Sequence, residues 1–200
     1  YSVFPLGSVV TMIPFAMAKA TGIITEMPGG LIGALIAAAG GLLLLQIAQR
    51  YEVSRSRAIV MAAGMLFGTW AWTNITVAGA WQLALGFSFV GELGAIYFVL
   101  FDRRPLIAGA FFALAFGNRT EVLLTAPIFL YLLWRAEPDI GAPKMSEARS
   151  AQISRLIKFC ILPFILGAAT LVYNYVRLGS YTDFGYARIP GVLNEPWYVH

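Results

Sequence analysis

The chain has 200 residues, of which 59% are hydrophobic and only 12% charged, with a mean hydropathy of +0.74. Ordinary soluble domains carry roughly 25% charged residues. So few charges cannot cover that much apolar surface in water, whereas a bilayer acts as solvent for the outer face. A soluble domain is thereby excluded, and an all-α polytopic membrane bundle is expected. The net charge of +4 lies in links between apolar runs, which reads as a topology signal and argues against a nucleic-acid partner. The single cysteine, Cys160, excludes an internal disulfide and reads as a small packing residue, and the one histidine is His200. No metal cluster, Ser/His/Asp set or phosphate-cradling glycine loop is present in the sequence. No cofactor is expected, and a divalent cation is left open.

The chain opens on Tyr1 and closes on His200 in a polar, turn-rich stretch, so the expectation is a piece of a longer membrane protein. Its start lacks the pattern of a signal peptide. Tyr1 to Gly22 contains Pro5, Gly7, Pro14 and Lys19. That makes a poor span, and an interfacial or re-entrant helix is expected there. A crossing helix needs about 20 apolar residues. Gly29–Gln49 and Ala58–Val77 meet this without a charge, Gly79–Phe101 with Glu92 as its one exception, and Phe159–Val176 with Pro163 as a tolerated kink. Pro105–Gly117 and Val122–Trp134 are shorter and are separated by Asn118, Arg119, Thr120 and Glu121. They form either one long helix or, as favoured here, a hairpin whose tip is the polar tetrad, because Gly117-Asn118 is a good helix stop. The total is about six spans plus the N-terminal helix.

Ten of the fourteen basic residues fall in three links: Arg50–Arg57, Arg103–Arg104 and Arg135–Lys158. The positive-inside rule places these in the cytoplasm. Alternation then puts Thr25–Pro28, the 77–79 turn, the 118–121 tip and everything after Tyr175 outside, a parity that needs the hairpin. Gly29, Gly33, Ala37 and Gly41 form one small-residue face, as do Gly64 with Gly68 and Gly109 with Ala113 and Gly117. Such faces let helix backbones approach in lipid and read as packing within the bundle. Trp70, Trp72, Trp81 and Trp134 lie near span ends, as aromatic belts do.

A few polar residues stand out. Glu92 is ionisable in mid-span, where an unpaired charge costs at least about 2.5 kcal/mol; it is either functional or a hydrogen-bonded packing group. Arg119 and Glu121 occupy the tip. The arginine suits a lipid phosphate, or else snorkels and pairs with Glu121. Asn74-Ile75-Thr76 and Asn118-Arg119-Thr120 match the glycosylation sequon but lie too close to the membrane for a glycan. From Asn174 to His200 the composition turns to tyrosines, Trp197, Asp183, Arg188, Glu195 and glycines. That mixture suits a sugar or headgroup, and equally any ordered loop.

Tyr173-Asn174-Tyr175 through Gly179-Ser180, then Asp183-Phe184-Gly185-Tyr186, resembles a segment of bacterial integral-membrane glycosyltransferases of the GT-C class. Within that class the likeness is to the protein O-mannosyltransferase and aminoarabinose transferase families. Tyr1 to Gly7 is similar to the segment that closes their first extracytoplasmic loop, and Gly117 to Glu121 through Pro127 resembles their hairpin. Thr120 stands where these families often have proline.

The resemblance implies transfer of a hexosyl or pentosyl group from a polyprenyl-phosphate donor, with membrane lipid as surroundings, in the bacterial inner membrane. It also implies an acidic catalytic residue upstream of Tyr1. Arg119, then Arg188, would meet the lipid phosphate; Glu121, Asp183 and Tyr186 are the substrate-contact candidates. The rival readings are a transporter or flippase subunit using Glu92, disfavoured because no internal repeat is visible, and a non-catalytic assembly protein.

Overall fold

A computed structural model describes residues 5–135, 145–183 and 185. Among these the secondary structure is helical, without a strand. The helices are α1 (Leu6–Ala20), α2 (Gly29–Arg50), α3 (Arg55–Phe67), α4 (Trp70–Val77), α5 (Ala80–Leu100), α6 (Pro105–Asn118), α7 (Ala126–Arg135) and α8 (Met145–Leu178), with a 3-10 segment at Thr120–Thr125 before α7. By length and composition α2, α5 and the Arg149–Leu178 part of α8 can each cross a membrane, and the pair α3–α4 makes a fourth crossing if counted together. This is consistent with an integral membrane protein.

The expected span Ala58–Val77 is not one straight helix. It bends by 60° between α3 and α4. Gly68 ends α3, and Thr69 takes an extended conformation (φ −127°, ψ 179°). The Thr69 hydroxyl donates to the Met65 carbonyl at 2.6 Å and accepts from the Ala71 N–H at 3.2 Å. One side chain thus satisfies orphan groups of two helix ends, and such caps are worth about 1 kcal/mol. Trp70 and Trp72 consequently sit at this bend rather than at a span end.

The helix expected over Phe159–Val176 starts earlier, at Met145, and runs 34 residues. Between Met145 and Leu162 no proline or glycine interrupts it, so the basic lead-in continues as helix into the apolar part. Gln152 on this lead-in donates to the Trp134 carbonyl at 3.1 Å, closing the end of α7.

The hairpin is present. The rings of Phe112 and Phe129 lie 5.2 Å apart, and Leu133 joins Val99 and Ala108 in one buried cluster with Phe159. The chain that leaves α6 therefore turns back alongside it. The return strand of the hairpin is not the plain helix expected over Val122–Trp134, because its first six residues are 3-10. At about 2.0 Å rise per 3-10 residue and 1.5 Å per helical residue, these six and the ten of α7 reach about 27 Å. The 14 residues of α6 reach about 21 Å.

The small-residue faces do make backbone contacts. A Cβ on Gly33 would lie 2.8 Å from the Ile75 carbonyl oxygen and one on Gly109 would overlap the Phe159 backbone, and Gly91, outside the expected faces, makes a like approach, 2.6 Å from the Ala115 nitrogen. Gly117 is held between Gly7 of α1 and Leu166 of α8. Gly64 differs: nothing stands within 4 Å of a Cβ there, so its place in the pattern has no packing role. N-terminal α1 is anchored by its first turn, where Gly7 and Ser8 are buried against the end of α6.

These contacts separate glycines that must stay small from those that need not. Gly109→Val is expected to destabilise the bundle by about 1–3 kcal/mol through overpacking. Gly64→Ala is expected to change stability little, or to raise it. Thermal unfolding of the purified protein in detergent measures both.

Candidate functional site

The tip is built by the stop of α6. Asn118 is 1% exposed. Its Nδ2 donates to the Leu114 carbonyl at 2.9 Å, and its Oδ1 lies 3.5 Å from the Thr11 hydroxyl, which itself donates to the Ser8 carbonyl. Asn118 is therefore a buried stop bonded to its own helix, with Ser8 and Thr11 of α1 beside it. That excludes it from carrying a glycan in this fold. The next residue, Arg119, is extended (φ −141°, ψ 102°), and this swings its side chain out of the helix line.

The Arg119 guanidinium lies over the Trp81 ring, with its carbon 4.1 Å from the ring centroid. It makes no ion pair with Glu121, which is exposed. Neither does any described side chain or carbonyl accept from its guanidinium N–H groups. The indole holds the plane by cation–π attraction, worth about 0.5–1 kcal/mol at a partly exposed site. The N–H edge remains able to meet an anion in bidentate fashion. Trp81 was legible only as a belt residue; its pairing with Arg119 needed the fold.

Glu92 is half-buried on α5. Its Oε1 lies 2.8 Å from the hydroxyl of Thr125, the last residue of the 3-10 segment, and that hydroxyl is also 2.8 Å from the Val122 carbonyl oxygen. No ion pair reaches Glu92 among the described residues. Thr125 carries no sequence signal that would have found this contact.

Arg119 itself lines only a recess of about 10 Å³ with Pro5, Trp81, Ala84 and Glu121, and two largely apolar hollows lie further off. One, of about 290 Å³, lies between α1 and α5 and is lined by Ser8, Thr11, Met12, Ala84, Phe87 and Asn118 among others. The other, of about 430 Å³, is a groove between the hairpin and α8, lined by Phe116, Leu123, Leu130, Phe159, Cys160 and Pro163 among others.

The remaining candidates are not brought to this tip by any contact described. Asp183 accepts from the Gly185 N–H at 2.7 Å, which folds its own turn. Near it, the Tyr175 and Tyr181 rings stack at 4.6 Å, and Asn174 donates to the Tyr181 carbonyl at 3.3 Å. Tyr186 and Arg188 lie outside the described residues. Among the described residues no group of three or more His, Cys, Asp or Glu could hold a metal ion.

The buried stop at the tip gives a direct prediction. Asn118→Ala removes two hydrogen-bonding groups from a buried site and leaves a void, so it is expected to cost about 1–3 kcal/mol. Thr120→Ala, two residues on and exposed, is expected to stay within about 0.5 kcal/mol of wild type. Thermal unfolding of both variants measures the difference.

Compared with protein-family models, with curated proteins and with solved structures, the chain matches none of them.

Proposed function

We propose that this chain is part of a membrane glycosyltransferase that moves a sugar from a polyprenyl-phosphate-linked donor to an acceptor at the extracytoplasmic face. The observation that carries the reading is Arg119: a half-buried cation at a hairpin tip, held flat on Trp81 and not taken up by any described carboxylate. The apolar hollow lined by its neighbour Asn118 suits the hydrocarbon part of a ligand whose head is a phosphate. The resemblance of the 117–127 and 173–186 segments to GT-C enzymes supplies the reaction class.

In this reading the chain crosses the bacterial inner membrane about six times, with α6 and the 3-10–α7 unit as the two short crossings. Short crossings are accommodated by local thinning and tilt, which keeps Arg119 near phosphate depth. Transfer leaves negative charge on the departing lipid phosphate, and the guanidinium stabilises it electrostatically. An acidic residue outside this chain deprotonates the acceptor hydroxyl. Glu121, exposed beside Arg119, faces the acceptor side of the same tip, and Arg188 is the second cation for the phosphate. Asp183 and Tyr186 contribute acceptor contacts from the last loop.

The test is sugar transfer by the whole protein in proteoliposomes, titrated with polyprenyl-phosphate donor, with membrane abundance as control. Arg119→Ala is expected to lose a charge-assisted hydrogen bond worth about 1.5–3 kcal/mol, roughly ten- to a hundredfold in rate or donor affinity. Arg119→Lys is expected to recover part of it, since the ammonium keeps the charge but not the fork. Wild-type rate and donor dependence in Arg119→Ala would make the residue an interfacial anchor.

A further inference from the structure

The proton count at Thr125 bears on how Glu92 is held. A carbonyl oxygen only accepts, while a threonine hydroxyl has one proton to give and lone pairs to accept with. Thr125 Oγ1 lies 2.8 Å from the Val122 carbonyl oxygen and 2.8 Å from Glu92 Oε1. With a carboxylate at position 92, one proton would face two acceptor oxygens, and one of these short oxygen–oxygen contacts would contain no proton. With a carboxylic acid, Thr125 donates to Val122 and Glu92 donates to Thr125, and both contacts are satisfied.

Among the described residues the surroundings supply no counter-charge. Among the helices packed against α5, α4 and α6 contain no titratable residue. Arg50, the last residue of α2, instead meets Tyr97 near the far end of α5. On α7 the titratable residues are Tyr131 and Arg135, which bond each other at 3.1 Å. Glu121 of the 3-10 segment and Lys19 of α1 are exposed, and neither pairs with Glu92. A lone carboxylate in mid-span is expensive, and a neutral acid with a hydrogen-bond partner avoids that cost.

We infer that Glu92 is a carboxylic acid in the folded bundle and donates to Thr125, pinning the foot of the 3-10 segment to α5 as a positioning residue for the tip that carries Arg119. The positioning half rests on the reading of Arg119 as the contact to donor phosphate; the proton half rests on the two 2.8 Å contacts of Thr125 together with the lack of a described counter-charge. The mechanical link is short. The 3-10 segment begins at the residue after Arg119 and ends at Thr125, so fixing one end fixes the height of the other. Long 3-10 runs are uncommon because their hydrogen bonds are poor, and this one needs an external tie.

The proton is read by infrared spectroscopy of the whole protein in lipid at neutral pH. The stretch of a protonated carboxyl is expected in the wild type, lost in Glu92→Gln, and shifted to higher frequency in Thr125→Val, where the acid loses its acceptor. Arg119→Ala should leave that band in place. Absence of a protonated-carboxyl band that disappears with Glu92→Gln would overturn the inference, as would a band unmoved by Thr125→Val.

The positioning role is read from the donor titration at matched abundance. Glu92→Gln keeps a donor to Thr125 and should stay near the wild-type KM for donor. Glu92→Leu should raise that KM roughly ten- to a hundredfold through misplacement of the tip. A wild-type KM in Glu92→Leu would overturn the positioning role even with the band assigned. If Arg119→Ala does not alter donor dependence, the phosphate reading fails and the positioning role with it, and the infrared result still decides the proton.

Discussion

The rest of the bundle depends on how closely other backbones approach α6. Lipid gives no hydrophobic force between helices, so packing has to come from contact, and contact needs small residues. Gly91 of α5 brings that helix onto the Ala115 nitrogen, Gly109 admits the Phe159 backbone of α8, and Gly117 meets Gly7 of α1. Around these contacts Phe112, Phe129 and Phe159 close an aromatic cluster with centroids 5.2–5.8 Å apart. Helix α6 has no charged residue and ends at a fully enclosed asparagine. It is the fixed post against which the other elements are set.

Fixing α6 fixes the tip. Gly117 packs the post against Gly7 of α1, and Arg119 leaves it in an extended conformation that lays the guanidinium on Trp81. The descent then proceeds as 3-10 rather than α-helix. This covers more depth per residue, so a sixteen-residue stretch reaches nearly as far as a full crossing. Glu92 and Thr125 sit where that descent turns into α7. One post, one cation and one mid-depth hydrogen bond thus form a connected unit.

Much of this was legible from periodicity and composition. The apolar lengths gave α2 and α5 nearly to the residue, the Gly117-Asn118 stop placed the reversal, and the glycine spacing of α6 marked its contact face. What was not legible depends on long-range or single-atom effects. A threonine hydroxyl serving two helix ends bends Ala58–Val77, and nothing in an uncharged apolar run announces that. Arg119 and Trp81 are 38 positions apart, and Glu92 and Thr125 are 33 apart. No local pattern links such residues. The contact at the foot of the 3-10 segment, Thr125 with Glu92, is again tertiary.

The reversal at the tip is the claim on which the site depends, and labelling from outside the cell tests it most directly. In the whole protein with Cys160→Ala, single cysteines at Ser54 and Ser180 are probed with a membrane-impermeant maleimide, before and after permeabilisation. The hairpin predicts that position 180 labels in intact cells and position 54 only after permeabilisation. Equal accessibility at both positions would mean that the chain between them crosses an even number of times, and the placement of Arg119 at the outer face would fall.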